Sequence, residues 1–387
     1  MYKGYHELHM MIYIVPLQFC MTIDLPSLVP GIGHELRPLR PFSSTGYNII
    51  ASRVEKRLAM LNKIYSPLML YHKEKLDWAK LIRSGKVWEN YFGPFEWREK
   101  DYEFRSKYAD VLKEIDAFKD SKKVTAANFL QSMTASFTQQ SCALEGNKLG
   151  IIDTQKIWNS LKKNYNFDNI MTNWNIPLPA PSSLSDKEEN EVIEIRNHLI
   201  ATYYLYNTLY VTKKKIDFDE IKRIHQILLK GTPMENVQLN DYDFCEDKFQ
   251  REFILHSGKF RKLSVDSCIS NDVIHPFPIE VPALMRSLLL FINYGIPDKI
   301  HPIMFACRIL SAFHHIHPFS TANGHVGRLI MALYLIRNDY PPVIFHQINQ
   351  EEYNSTLLMS QGEMDSTSLY ALAVVNILNN FIKMHTT

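Results

Sequence analysis

Apolar positions recur every three to four residues over most of this chain, a period that predicts helices. Phe104, Tyr108, Val111, Leu112, Ile115 and Phe118 fall on one such stripe. Phe129, Met133 and Phe137 lie four apart on a second helix across 128–147, which the Gly146-Asn147 pair is placed to stop. A tyrosine-rich run over 191–211 keeps the helical period. Residues 216–230 then put Phe218, Ile221, Ile224 and Leu228 on one face ahead of Gly231. More helices are predicted over 281–292, 351–361 and 368–384, the last with capping oxygens between 365 and 368.

The stretch HPIMFACRILSAFHHIHPFSTANGHVGRLIMALYLIRN, residues 301–338, organises the rest. Two apolar runs flank Pro318, which must end a first helix, and Asn323-Gly324, which can open a second. The period changes between 258 and 282, where strand-like pieces at 262–265 and 271–275 predict a small hairpin. Residues 1–48 carry Pro16, Pro26, Pro30, Pro38 and Pro41 with a Gly31-Ile32-Gly33 turn, an irregular leader. A Pro-rich polar bridge spans 177–190. The chain therefore divides into a leader (1–48), a helical region (49–127), a single-helix segment (128–150), a helical connector (151–211) and a C-terminal domain (212–384).

Composition narrows the function classes. A net charge of +2 with 22% charged residues gives no reason to expect a nucleic-acid partner. Cys20, Cys142, Cys245, Cys268 and Cys307 are odd in number and form no CxxC, against a disulfide framework or a structural zinc site. A reducing, cytoplasmic setting is expected. The apolar piece at 10–21 is too short to span a bilayer, so no membrane is expected either.

The candidate chemistry sits between the two central helices. A histidine leaves the first helix at 317, a Ser-Thr-Ala-Asn-Gly turn follows, and Arg328 lies one turn into the second. A helix start presents unpaired N–H groups suited to phosphate. Of His314 and His315, one is expected to pack and one to face solvent. A zinc site from His314, His315, His317 and His325 would draw on both sides of a tight loop without a close carboxylate or cysteine, and is set aside.

His317-Pro318-Phe319-Ser320-Thr321-Ala322-Asn323-Gly324-His325-Val326-Gly327-Arg328 resembles the signature of the Fic (Fido) family, H-P-F-x-[D/E]-[G/A]-N-G-[R/K]-x-x-R. His317, Pro318, Phe319, Ala322, Asn323, Gly324 and Arg328 agree with it. Thr321 stands in place of the acid and His325 in place of the base. Upstream, Ser141-x-x-x-Glu145-Gly146-Asn147 resembles the family's inhibitory motif [S/T]-x-x-x-E-[G/N].

The resemblance implies an all-α fold: a Fic-like helical bundle over 212–384 with a small β-hairpin flap, preceded by an N-terminal helical region and an inhibitory helix at 128–150. It implies a self-inhibited protein adenylyltransferase that moves AMP from ATP to a Ser, Thr or Tyr hydroxyl of a target protein. His317 would be the catalytic base. Asn323, Gly324, His325 and Arg328 would hold the phosphates of ATP, and Thr321 would stand at the position that meets Mg²⁺ or Mn²⁺. Glu145 would occupy Arg328 and inhibit. The flap would receive a target segment as an added strand. Two other functions fit the same residues: a degenerate Fic domain that binds nucleotide or peptide without catalysis, and a hydrolase that removes AMP with Glu145 positioning water. Fic relatives often form homodimers, and the helical surface here is compatible with one.

Overall fold

The computed structural model describes residues 82–88, 95–120, 126–164, 186–239, 253–262, 275–294, 300–346, 348–362 and 365–386, together with 59, 80, 167, 184 and 273. The leader over 1–48, its apolar piece at 10–21 and residues 177–183 of the bridge lie outside them. Among the described residues, no helix is long and apolar enough to cross a membrane.

The described elements are nearly all helical, in the order α1 (Phe95–Lys107), α2 (Ala109–Asp120), α3 (Ala126–Ala143), α4 (Ile151–Asn164), α5 (Glu189–Tyr204), α6 (Phe218–Leu229), β1 (Asn236–Leu239), β2 (Phe253–His256), α7 (Val281–Tyr294), α8 (Pro302–Ile316), α9 (Asn323–Arg337), α10 (Gln350–Gly362) and α11 (Thr367–Thr386). A π-helical segment, Leu205–Tyr210, continues α5. The stripe from Phe104 to Phe118 spans two helices. Hydrogen bonds from Tyr108 N to Phe104 O (2.9 Å) and from Leu112 N to Tyr108 O (3.0 Å) carry across the junction, so the stripe keeps one face.

The described residues include one antiparallel pair, upstream of the 258–282 stretch. Asn236 faces His256 and Leu239 faces Phe253. Lys262, Val273 and His275 of the expected strands are not in strands, and 263–272 and 274 lie outside the described residues. The 258–262 segment is instead the connection that leaves β2 and runs against the central loop.

Helices α8 and α9 sit between two cores. Phe305, Ile309, Ala312, Phe313 and Ile316 of α8 pack into one, with residues of α5, α6, α7 and α9. Ile303, Met304, Ala306, Cys307 and Leu310 of the same helix pack into the other, with α2, α10 and α11. A helix with no polar face is stable only when it is covered all round. That position fixes the loop between α8 and α9 against rigid neighbours.

Local chemistry starts and stops these helices where the sequence indicates. His301 caps α8 by accepting from Ile303 N, and Pro302 follows at the first helical position, where its missing N–H costs nothing. Asp217 accepts from Glu220 N at 2.9 Å to start α6. Asp365 accepts from Thr367 N (3.0 Å) at the start of α11. Gly146 takes φ +98 after α3, a left-handed turn that side chains resist. Glu145 therefore rides on a fixed bend.

Candidate functional site

His317 closes α8 in the left-handed region, φ 48 and ψ 60, with its N–H donated to Phe313 O. Ala322, immediately before α9, is left-handed as well, φ 56 and ψ 17, and offers no side-chain cap. Such backbone costs an L residue roughly 1–2 kcal/mol. The loop therefore needs external bonds to hold it, and it has several.

Asn323 ties the loop to itself: Nδ2 donates to Phe319 O (2.8 Å) and Oδ1 accepts from Phe319 N (3.0 Å). Arg261 spans the end of α8, with Nε donating to His317 O (2.7 Å), Nη2 to Ile316 O and Pro276 O, and its backbone N to Pro318 O (2.8 Å). These bonds satisfy carbonyls that a helix end leaves open. His225 joins the other side. Gly258 N donates to its Nδ1 (2.8 Å), so the proton sits on Nε2, which donates to Thr321 O (3.2 Å). Burial lowers the His225 pKa to about 4, and its neutral ring stacks on Phe319 at 3.9 Å.

His317 itself is half-buried beside His275, their rings 5.2 Å apart. Burial first, then the neighbouring His275, His314 and Arg261, push its pKa well below the ordinary imidazole value. It is therefore a neutral ring, able to accept a proton, across the physiological range.

Arg328 is buried in the first turns of α9, and α3 comes to it. Its Nε donates to Ser141 Oγ (2.8 Å), and its Nη2 donates to Ser141 O (2.8 Å) and Glu145 Oε1 (2.7 Å). The third nitrogen, Nη1, is buried with no hydrogen-bond partner. The guanidinium stands 5.6 Å over the Tyr353 ring. Ser141 is held in turn: His198 Nε2 lies 2.9 Å from Ser141 Oγ, and His198 Nδ1 lies 3.1 Å from Thr138 Oγ1. Burial, then His325 and Arg328, keep His198 neutral.

The Glu145 carboxylate also rests on the start of α9. A Cβ added to Gly324 would fall 1.9 Å from Glu145 Oε1 and 3.0 Å from Arg328 Nη1. Gly324 is thus what lets an anion approach the helix N-terminus, where backbone N–H groups and the helix dipole favour negative charge. Burial raises the Glu145 pKa, but Arg328, His325 and His314 outweigh it and the net shift is downward.

The structure brings together His317, Asn323, Gly324, Arg328 and Glu145 around one loop. Thr321, half-buried, has its carbonyl engaged by His225. His325 turns away toward α5, its Nε2 3.1 Å from Glu194 Oε1 and its ring 5.4 Å from His198. One of the two histidines before the loop was expected to face solvent, but neither is exposed: His315 is buried against Trp88 and His314 is half-buried against Gly327. His225, Arg261 and His198 were not singled out from sequence, because each acts on backbone or side chains distant along the chain. A hint existed for His198: Asn197 and His198 are polar in the middle of an otherwise buried helix.

A sequence profile of the Fic/DOC family matches residues 215–335, from just before α6 to the end of α9. The chain carries a Fic domain. Relatives called protein adenylyltransferase Fic include that of Nematostella vectensis, 27% identical over 177 residues, covering 46% of this chain and 34% of that protein. The one from Drosophila willistoni is 23% identical over 276 residues, covering 67% and 46%. This chain thus spans between a third and a half of those relatives' length. Among solved structures, Fic-1 from C. elegans has the same fold, with a TM-score of 0.54 and 17% identity over 87% of this chain and 98% of that one.

Fic enzymes of the adenylyltransferase kind work with a divalent cation, and the fit here is poor. The loop from His317 to Arg328 contains no Asp or Glu. Thr321 offers one neutral hydroxyl where the signature has a carboxylate, which is not a donor set that holds Mg²⁺ or Mn²⁺ by itself. Of the carboxylates among the described residues, Glu145 is committed to Arg328 and Glu194 lies against His325, away from Thr321.

Proposed function

We propose that this protein is a protein adenylyltransferase held inactive by its own α3. The observation that carries the reading is the Glu145 carboxylate lodged between Arg328 and the Gly324 backbone, the position that favours a nucleotide phosphate. With Glu145 withdrawn, the N–H groups that open α9, together with Arg328, would hold the phosphates of ATP. Nη1 of Arg328 supplies an open donor for them. A target Ser, Thr or Tyr hydroxyl attacks the α-phosphorus, its proton passes to the neutral His317, and pyrophosphate leaves. His325, turned to Glu194, adds no permanent charge to the phosphate set. The β1–β2 pair is tethered to this loop through Gly258, His225 and Thr321, so a target segment added to its edge would lie near His317.

A second reading is favoured by Thr321 and His325: a Fic domain that binds nucleotide or peptide without transfer. The experiment that separates the two is transfer from ATP labelled at the α-phosphate, by the full chain and by Glu145→Gly, to itself and to a lysate. Label transferred by Glu145→Gly and lost in Glu145→Gly/His317→Ala is the expected result. ATP binding without any transfer by Glu145→Gly would replace the first reading with the second.

A further inference from the structure

Cys142, Glu194 and His325 come from three helices, α3, α5 and α9, and the nucleotide reading uses none of them. Their ligand atoms all lie within 4.8 Å of one another. The His325 Nε2 is buried and, although 3.1 Å from Glu194 Oε1, makes no hydrogen bond. Cys142 is a free thiol with no exposed surface. A buried free cysteine is ordinarily a small apolar packing residue. Here it faces a carboxylate and an imidazole nitrogen left without a partner, and a buried polar atom in that state calls for an explanation. We propose that Cys142, Glu194 and His325 bind a divalent transition-metal ion of the zinc class.

The donor set selects the metal. A thiolate with an imidazole and one carboxylate oxygen suits Zn²⁺ or Co²⁺, whereas Mg²⁺ and Mn²⁺ prefer oxygen alone. Tetrahedral bonds of about 2.0–2.3 Å put ligand atoms roughly 3.5 Å apart, so side-chain movements on the order of 1 Å close the site. The thiol proton is released to solvent as sulfur ligates the ion. Glu194 is oriented from behind, its Oε2 accepting from Asn147 Nδ2 at 2.7 Å. Its side chain is 30% exposed, which gives the ion a way in and leaves a fourth position open to water.

The ion would join the inhibitory helix to the phosphate helix. Cys142 and His325 each lie three residues before a member of the Glu145–Arg328 pair, so a bound metal holds that pair closed. This consequence rests on the proposed role of Glu145, while metal binding itself does not.

The test is titration of the metal-free full chain with Zn²⁺ against a chromogenic chelator, and with Co²⁺ followed by absorption. One equivalent is expected, with a thiolate-to-cobalt charge-transfer band and tetrahedral d–d intensity. Cys142→Ser should abolish the charge-transfer band, and Glu194→Gln and His325→Gln should weaken Zn²⁺ binding at least tenfold, with circular dichroism confirming that each variant folds. Glu194→Gln, at the exposed edge, disturbs packing least and keeps the test decisive if the others misfold. Absence of stoichiometric binding, a site without the thiolate band, or binding unchanged in the folded variants would overturn the proposal. ATP affinity that falls on zinc loading supports the regulatory consequence. Zinc binding with unchanged ATP affinity removes that consequence and leaves the site.

Discussion

Two buried arginines, Arg308 on α8 and Arg328 on α9, each draw in a helix from the N-terminal half, and they do so differently. Arg308 pairs with Asp101 of α1, its Nε donates to the Tyr370 hydroxyl at 2.9 Å, and Tyr370 donates to Asp101 at 3.1 Å. Both side chains of that pair are sealed, 3% and 9% exposed. Glu145, by contrast, is 34% exposed while Arg328 is 2%. The first arrangement is closed on itself and reads as scaffold. The second keeps one guanidinium nitrogen without a hydrogen bond and one partner near water, which is what a contact made to be exchanged requires.

The titration behaviour of the two carboxylates separates them further. Burial raises the Asp101 pKa in spite of Arg308, whereas the charges around Glu145 lower its pKa in spite of burial. A lowered carboxylate contributes stability that is present above its unfolded value and is lost as pH falls through the folded one. Acidification below about 4.5, the ordinary value for Glu145, should loosen α3, whereas Asp101, raised by burial, takes up its proton more readily in the folded state and contributes no such loss.

Removing one partner of the sealed pair should have the largest effect. Asp101→Asn is expected to lower folding stability by roughly 3–5 kcal/mol, because it strands a buried cation; denaturant unfolding measures it, and a loss near zero would erase the contrast. Gly324→Ala is next: its methyl collides with the Glu145 carboxylate, so it should cost on the order of 1–3 kcal/mol in the full chain and much less in a Glu145→Gly background. Equal costs in both backgrounds would mean that Glu145 does not rest there in solution. Ala322→Gly should stabilise by about 1 kcal/mol, relieving a left-handed alanine, and thermal unfolding would show it. Smallest is the pH effect. The protection of α3 amides against hydrogen exchange, relative to their intrinsic rates, should fall as the pH drops below about 4.5, ahead of any loss in α1.

Much of this was legible in the chain. The helices over 216–230 and 281–292 follow from one apolar face each, and the loop between α8 and α9 from Pro318 and Asn323-Gly324. The resemblance to Fic sequences led to Glu145 and Arg328, 183 positions apart, meeting at 2.7 Å. The β1–β2 pair was not foreseen, because its four-residue strands are separated by 240–252 with no tight-turn signal, and most of the pair expected at 262–265 and 271–275 lies outside the described residues. Arg261 and His225 left no local trace, since the loop carbonyls they hold, those of His317 and Thr321, are more than fifty residues away. The left-handed state of Ala322 was equally hidden, because alanine carries no mark of the backbone it occupies.

The most direct test of the central claim is calorimetric measurement of ATP affinity for the full chain and for Glu145→Gly. Vacating Arg328 frees a charge-assisted hydrogen bond worth about 1.5–3 kcal/mol, so ATP should bind the variant roughly ten- to a hundredfold more tightly. Equal affinity in the two proteins would contradict the claim that Glu145 occupies the phosphate position.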